Sequence, residues 1–150
     1  MSDGSSPAPA DARTVVTQSD AETEALARTL AERLEAGARI HLYGDLGAGK
    51  TVFVRGLADG LGVDPDEVSS PTFTLIQEYR GRLALYHVDL YRIAPAEVPD
   101  LGLDAIAADG VLAIEWAERL PADDPVAIRV RLEDAGDHQR KITVESPHQR

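Results

Sequence analysis

The sequence contains no cysteine, so its 150 residues cannot form disulfides, thiolate nucleophiles, Cys-ligated zinc sites or iron–sulfur clusters. Basic residues are also scarce, because 15 Lys and Arg stand against 26 Asp and Glu, which gives a formal net charge of -11. The lysines are Lys50 and Lys141 alone. Since phosphate backbones are held by clustered Lys and Arg, this balance argues against a protein that holds a nucleic acid unaided. It argues equally against a basic helix that lies on a membrane surface.

Long apolar runs are missing as well, and no stretch of the sequence approaches the roughly 18 residues of a membrane-spanning helix. Met1–Arg13 is small and polar, without the basic start and apolar run of a secretory signal. We therefore expect a disordered tail over residues 1–13, one folded domain over 14–145, a short tail over 146–150, and a cytoplasmic location. The hydrophobic content of 43% is sufficient for a packed core.

Strand and helix patterns alternate in the first part of the domain. Thr14–Gln18 is β-branched and predicts a strand, and Ser19 with Glu22 has the spacing of a capping box at a helix start. Arg39–Tyr43 predicts a second strand, and a second amphipathic helix follows it. The residues expected to face the core from the two helices are Leu26, Leu30, Leu34, Val54, Leu57, Ala58 and Leu61.

The middle of the chain predicts a β-hairpin and a buried strand. Phe73–Tyr79 and Leu83–Asp89 are strand-like runs that a short turn separates, and Pro95–Ala108 is a weak helical stretch. Gly110–Trp116 is almost continuously apolar, as in a parallel strand that is buried on both faces.

The end of the domain predicts a second hairpin. Val126, Ile128, Val130 and Leu132 alternate with more polar residues, and Lys141–Glu145 returns after a turn. The order of the elements predicts an α/β protein with three layers and a mixed sheet that includes antiparallel hairpins.

The most specific motif in the sequence is GDLGAGKT, which matches the phosphate-binding loop pattern G-x-x-x-x-G-K-[ST]. Glycines allow a tight turn that directs backbone N–H groups inward, and the following helix adds its positive N-terminal end. The lysine supplies a cation for the β- and γ-phosphates, and the threonine hydroxyl is a ligand for Mg²⁺. The motif makes the predicted fold P-loop NTPase-like. Its residues, all predicted to bind phosphate, are Gly44, Asp45, Leu46, Gly47, Ala48, Gly49, Lys50 and Thr51.

A second magnesium ligand is predicted at the end of the apolar strand. Val111–Ile114 consists of four apolar residues, and Glu115 follows them directly. A P-loop site requires an acidic group at the end of a neighbouring buried strand, to hold Mg²⁺ directly or through water. Glu115 could also simply end the strand in solvent, but its context favours a metal site formed with Thr51.

The residue types alone do not decide the roles of three further residues. Asp89 ends the second strand of the middle hairpin, where it could position the attacking water or cap an ordinary turn. Thr72 precedes the other strand, where it could reach the γ-phosphate or Mg²⁺ or simply begin the strand. The single tryptophan, Trp116, could cover the core or contact a partner.

Four segments in the order GDLGAGKT, SPTFTLIQEY, YHVDLYR and AIEWAE resemble the bacterial TsaE family, formerly called YjeE. The resemblance extends over about residues 14–145 and is more specific than the P-loop alone. Its members are small P-loop ATPases that are needed to make threonylcarbamoyladenosine in tRNA. One departure is Val52, at a position where many relatives have a second threonine.

The resemblance implies a role for each matched residue. Lys50 and the loop glycines would hold the phosphates of ATP, and Thr51 and Glu115 would bind Mg²⁺. Asp89 would be the acidic residue that is important for hydrolysis or for coupling to the partner. Thr72 would belong to a switch-like segment, and Trp116 would lie close to the nucleotide and the partner surface.

The resemblance also implies partners, namely TsaD, which transfers the threonylcarbamoyl group, and its paralogue TsaB, with tRNA approached only through that complex. Hydrolysis of ATP would then support turnover of the complex. The alternative function is a small-molecule P-loop kinase, although the arginines are scattered and form no obvious lid. A GTPase is less favoured because no Asn-Lys-x-Asp motif is present, and a module that binds nucleotide without hydrolysing it remains open.

Overall fold

The structure is a computed structural model that describes residues 12–44, 49–68, 76–91, 93–120 and 124–147. The strands within these ranges are β1 Ala12–Thr17, β2 Arg39–Tyr43, β3 Ile76–Tyr79, β4 Ala84–Asp89, β5 Gly110–Glu115, β6 Ile128–Gly136 and β7 Gln139–Glu145. The helices are α1 Asp20–Ala31, α2 Lys50–Gly60 and α3 Leu103–Ile106, with 3-10 turns at Pro65–Glu67, Pro95–Leu101, Ala107–Asp109 and Ala117–Arg119.

The described strands form one mixed sheet in the order β1-β7-β6-β2-β5-β4-β3. The inner strands β6, β2, β5 and β4 are parallel, whereas β3 pairs antiparallel with β4, and β7 pairs antiparallel with both β6 and β1. The predicted α/β fold with a mixed sheet and two antiparallel hairpins is therefore confirmed. No helix in the described part of the chain is long and apolar enough to cross a membrane.

Strand β5, an inner strand of the sheet, is buried along its whole length, as its apolar sequence predicts. It pairs in parallel with β2 on one side and with β4 on the other. Its last residue, Glu115, lies opposite Leu42 of β2 and Asp89 of β4. The carboxyl ends of these three strands thus meet at one edge of the sheet.

Helices α1 and α2 pack closely together, because glycines of α2 face the backbone of α1. A Cβ on Gly56 would lie 2.3 Å from the carbonyl oxygen of Glu24, and one on Gly60 would lie 2.5 Å from that of Arg28. Helix α2 buries Val54, Leu57 and Ala58 fully, as predicted, and Leu61 follows them.

The apolar face of α1 is shifted from the one that its leucines predict. The fully buried residues of this helix are Thr23, Ala27 and Ala31, while Leu26 and Leu30 are only partly buried. Small side chains take the innermost positions because α1 and α2 approach closely at the two glycines. The helix begins as predicted, since Ser19 Oγ accepts the N–H of Glu22 at 3.2 Å.

On the opposite face of the sheet, β4 and β5 are covered by two segments, one just before β5 and one just after it. A second apolar cluster is formed there by Val88, Leu90, Ile93, Val98, Leu112, Ile114 and Ala117. The predicted weak helix over Pro95–Ala108 is broken into a 3-10 turn, the short helix α3 and the start of another turn. Pro99 lies inside the first turn, where it removes one backbone donor.

Some predicted boundaries differ from those of the structure. Strand β1 begins at Ala12 rather than at Thr14, and α1 ends at Ala31, before Gly37. Val126 precedes β6 and is 63% exposed, so it does not belong to the buried alternation that begins at Ile128. The first three residues of the predicted strand over Phe73–Tyr79 lie outside the described residues.

Candidate functional site

The sheet topology brings several predicted site residues to one edge. Gly44 directly follows β2, Glu115 ends β5 and Asp89 ends β4. Because Glu115 is paired in register with Asp89, their side chains leave the sheet on the same face. The carboxyl edge of a parallel sheet, where the strand order departs from the chain order, is where α/β proteins bind ligands.

Helix α2 begins at this edge with features that suit an anion. Its N-cap, Gly49, has a left-handed φ of 96° and, as a glycine, offers no side chain to cap the first turn. The first turn contains no acidic residue that would compete for its N–H groups. Lys50 and Thr51 are the first two residues of the helix, as the motif requires. The other loop residues that the motif predicts, Asp45, Leu46, Gly47 and Ala48, lie outside the described residues.

The side chain of Lys50 is enclosed between the loop and an aromatic ring. Only 5% of this residue is exposed. Its Nζ donates to the carbonyl oxygen of Gly44 at 2.5 Å and lies 3.6 Å from the centroid of the Trp116 ring. A cation over the face of an aromatic ring is attracted by the quadrupole of that ring. Trp116 is therefore in direct contact with the lysine of the P-loop.

Trp116 is held in this position by strained backbone and a second ring. It has a left-handed backbone, with φ of 60°, directly after β5. Its ring centroid lies 4.9 Å from that of Tyr91, at an interplanar angle of 43°. A left-handed conformation is unusual for a bulky residue and persists only where its surroundings impose it. The strain and the ring pair together direct the indole toward Lys50.

Glu115 is a buried carboxylate whose orientation is fixed by a histidine. It is 4% exposed, and His87 of β4 is fully buried. Nε2 of His87 lies 2.5 Å from Oε2 of Glu115. The bond fixes one carboxylate oxygen, while the other makes no hydrogen bond within the described ranges. His87 is therefore a partner of the predicted metal ligand.

The donor set at this edge is compatible with magnesium. Thr51 at the start of α2 offers a hydroxyl oxygen, and Glu115 offers the carboxylate oxygen that His87 leaves unbonded. Mg²⁺ prefers such oxygen ligands and usually keeps several waters when it binds phosphates. A histidine behind the carboxylate resembles the outer hydrogen bonds that orient metal ligands in proteins.

Asp89 caps a turn and also places its carboxyl near the candidate site, the two roles that its sequence position left open. Its Oδ1 accepts the N–H of Tyr91 at 2.9 Å, which is a turn-capping bond. Burial raises the pKa of its carboxyl, and the nearby charge of Glu115 raises it further, while the Tyr91 N–H acts in the opposite direction. Asp89 therefore stabilises its turn while its carboxyl remains beside the predicted metal ligand.

Several residues near the site could not be identified from sequence motifs alone. Glu118 is exposed, and its Oε2 accepts the N–H of Gly44 at 3.3 Å. Tyr91 supports Trp116, and Arg140 lies against Gly49 from the far hairpin. The pairing of β7 with β6 brings Arg140 next to Gly49, and no sequence motif contains both residues. Thr72 lies outside the described residues.

Comparisons with known proteins agree with this architecture. The family model for "Threonylcarbamoyl adenosine biosynthesis protein TsaE" matches residues 17–142. The chain is 48% identical over 122 residues to the tRNA threonylcarbamoyladenosine biosynthesis protein TsaE of Nostoc sp., covering 76% of this chain and 75% of that one. It is 42% identical over 132 residues to the protein of the same name from Treponema pallidum, covering 86% of this chain and 97% of that one.

A solved structure is similar in fold as well as in sequence. The crystal structure of Bacillus subtilis YdiB superimposes with a TM-score of 0.73 at 36% sequence identity, covering 93% of this chain and 88% of that chain. Together with the family match over most of the described sheet, this likeness leaves no ambiguity about the relationship. The chain belongs to the TsaE family of threonylcarbamoyl adenosine biosynthesis proteins.

Proposed function

We propose that this protein is a magnesium-dependent ATPase that assists the biosynthesis of N6-threonylcarbamoyladenosine in tRNA. One observation carries the proposal: the start of α2, with Lys50, lies at the same sheet edge as the buried carboxylate Glu115. A helix N-terminus with a lysine binds phosphates, and a buried acidic group on the neighbouring strand suits their metal ion. Family membership supplies the biosynthetic role.

Binding of the phosphates would use the start of α2 and the ammonium of Lys50. The N–H groups of the first helical turn and the positive end of the helix would attract an anion, and Lys50 would add a full charge. Burial of Lys50 makes this attraction stronger than it would be in water. Triphosphate oxygens would compete with the carbonyl oxygen of Gly44 and with the Trp116 ring for the ammonium group.

Thr51 and Glu115 would hold Mg²⁺, which when bound neutralises charge on the β- and γ-phosphates. His87 acts here as a positioning residue. A carboxylate that binds a metal ion only accepts hydrogen bonds, so Nε2 of His87 would be the donor in its bond with Glu115. This bond would hold the carboxylate in one orientation and leave its second oxygen for the metal ion.

Asp89 would act on the hydrolytic step or on its coupling to a partner. Its carboxyl is half-buried next to Glu115, and burial raises its pKa. A carboxylate whose charge is poorly solvated is a better hydrogen-bond acceptor for an attacking water. The same side chain fixes the turn that leads to Tyr91, so a movement of the nucleotide could reach Trp116 through it.

The proposed partners are TsaD and TsaB, with tRNA reached only through their complex, in the cytoplasm. The net charge of -11 supports this arrangement, because a strongly acidic chain repels a phosphate backbone. We expect negligible affinity of the isolated protein for tRNA at physiological salt. A salt-sensitive complex in a gel-shift assay would contradict this part of the proposal.

The decisive experiment is phosphate release from ATP and Mg²⁺ by the purified protein, with and without TsaD and TsaB. We expect slow hydrolysis alone, faster hydrolysis with the partners, and at least a tenfold loss in Lys50→Ala. The matched control is Lys141→Ala, since Lys141 is the other lysine and lies exposed on β7. If Lys50→Ala hydrolysed ATP as fast as the native protein, the proposed ATPase activity would be overturned. If the protein transferred phosphate to a small metabolite, the kinase would replace the ATPase as the proposed function.

A further inference from the structure

Arg140, near the start of β7, packs against Gly49, the N-cap of the P-loop helix. A Cβ added to Gly49 would lie 3.3 Å from Nε of Arg140 and 3.7 Å from its Cδ. The arginine side chain is only 16% exposed. Its stem therefore covers the Gly49 backbone and brings a guanidinium group beside the N-cap of α2.

The guanidinium group uses only part of its hydrogen-bonding capacity within the protein. Nη1 of Arg140 donates to the carbonyl oxygen of Gln139 at 3.0 Å and lies 3.7 Å from Oδ1 of the exposed Asp134. Its Nε is buried and has no hydrogen-bond partner in the described part of the chain. A buried donor without a partner costs free energy, so in a native protein it calls for a physical explanation.

The topology shows which part of a nucleotide would reach this arginine. Strand β2 leads into the P-loop, and it lies between β5, which ends in Glu115, and β6, which continues into the β6–β7 hairpin with Arg140. Thr51 and Glu115 would hold the metal ion that neutralises the terminal phosphates, so the γ-phosphate end would lie toward Glu115. The nucleoside end would then project to the opposite side of β2, which is the side of the β6–β7 hairpin.

We propose that Arg140 contacts the nucleoside end of the bound nucleotide, with its guanidinium plane against the purine base. This inference rests on the proposed function and assigns one more binding residue to the same site. A guanidinium is planar and weakly hydrated, so it stacks on aromatic faces more readily than an ammonium does. The contact with the carbonyl of Gln139 keeps the plane in place before the base arrives.

A purely structural role would give Arg140 a different signature. In that case its stem would support the backbone of Gly49, and its loss would weaken every ligand of the P-loop equally. A contact with the nucleoside affects only ligands that carry a base. The comparison of ATP with inorganic tripolyphosphate, both with Mg²⁺, therefore separates the two roles.

The experiment measures both affinities by calorimetry for the native protein, Arg140→Ala and Arg140→Lys. Arg140→Lys retains the charge and most of the stem against Gly49, which keeps the test valid if the alanine variant folds poorly. We expect roughly a tenfold loss of ATP affinity in both variants, as for the loss of a stacked base, with tripolyphosphate affinity within about twofold of native. The control is Arg28→Gln, an exposed arginine of α1 that is paired with Asp59.

An equal loss for both ligands in Arg140→Lys would overturn the proposal, and so would ATP affinity that neither variant changes. Failure of the proposed function gives a different pattern. The native protein would then bind neither ligand, or Lys50→Ala would leave the affinities for both ligands intact. The two hypotheses can thus be rejected separately.

Discussion

Nζ of Lys50 lies 3.6 Å from the centroid of the Trp116 ring, so the cation of the P-loop and the only tryptophan of the chain are in contact. A phosphate group would attract that ammonium more strongly than the ring does, because it offers a full negative charge. The indole would then lose its cation. The tryptophan is consequently a built-in reporter of phosphate binding.

We predict that ATP with Mg²⁺ changes the emission of Trp116. We also predict that Lys50→Met, measured without added nucleotide, has an emission close to that of the nucleotide-saturated native protein. Both changes remove the same cation from the same ring. The measurement is a fluorescence titration, with Lys141→Met as the control that should titrate like the native protein. Native emission that saturating ATP leaves unchanged would show that Lys50 stays on the ring.

The buried pair of His87 and Glu115 gives a prediction about stability. In His87→Leu, Glu115 keeps its burial and loses its hydrogen-bond partner, so we expect a loss of about 3 kcal/mol in the free energy of unfolding. The measurement is urea denaturation followed by circular dichroism.

A double substitution is the control for this pair. Replacing His87 and Glu115 together by leucine removes both polar groups, and such a change is close to neutral when the shapes fit. We therefore expect His87→Leu/Glu115→Leu to be more stable than His87→Leu alone. If the double variant were the less stable of the two, the pair would not be the source of the loss.

The sequence predicts the parts of this molecule that local chemistry determines. The position of Glu115 at the end of a buried strand is predicted by the apolar run before it, and the position of Lys50 at the start of a helix is predicted by its contiguous motif. The roles of His87 and Arg140 cannot be predicted from sequence because their neighbours are distant along the chain. Glu115 is 28 residues from His87, and Gly49, which lies against Arg140, is the N-cap of α2. Their roles depend on the strand register, which no single segment encodes.

The buried face of α1 also could not be predicted from the sequence, because it depends on how closely the neighbouring helix packs. The spacing of Leu26 and Leu30 predicts an apolar face, yet Ala27 and Ala31 are the residues that are fully buried. The preference for small residues comes from Gly56 and Gly60 on the partner helix, which allow the backbones to approach. A hydrophobic pattern indicates which side of a helix is apolar, but not how close its neighbour lies.

This close approach predicts that Gly56→Ala is destabilising although alanine favours helices. The added Cβ would lie 2.3 Å from the carbonyl oxygen of Glu24, so the two helices would have to separate. We expect a loss of about 2 kcal/mol or more in the free energy of unfolding. The control is Asp59→Ala on the exposed side of α2, which should cost less than about 0.5 kcal/mol. Equal stability of the native protein and Gly56→Ala would mean that the helices are farther apart than described.

Asp89→Asn separates the chemical role of Asp89 from its structural one. Asparagine keeps the side-chain oxygen that accepts the N–H of Tyr91, so the turn should persist, but it lacks the charge. Because burial raises the pKa of Asp89 in the folded protein, ionisation opposes folding, and this penalty is fully present above the folded pKa. At neutral pH the variant should therefore be at least as stable as the native protein.

The stability difference between Asp89→Asn and the native protein should depend on pH. As pH falls below the ordinary aspartate value of 3.8, the carboxyl is protonated in both the folded and the unfolded state, and the advantage of Asp89→Asn should disappear. Thermal unfolding of the two proteins between about pH 3 and 7 measures this difference. A variant that is less stable than the native protein at neutral pH would indicate that the charge of Asp89 stabilises the fold.

The same variant decides what the carboxylate does in turnover. If Asp89 orients the attacking water, Asp89→Asn should lower ATP hydrolysis at least tenfold both alone and with TsaD and TsaB. If it transmits nucleotide binding to the partner through its turn and Tyr91, slow hydrolysis alone should persist and only the stimulation should be lost. Normal stimulation in this variant would exclude both roles. Because the asparagine retains the turn, a loss of activity without a loss of stability can be assigned to the missing charge.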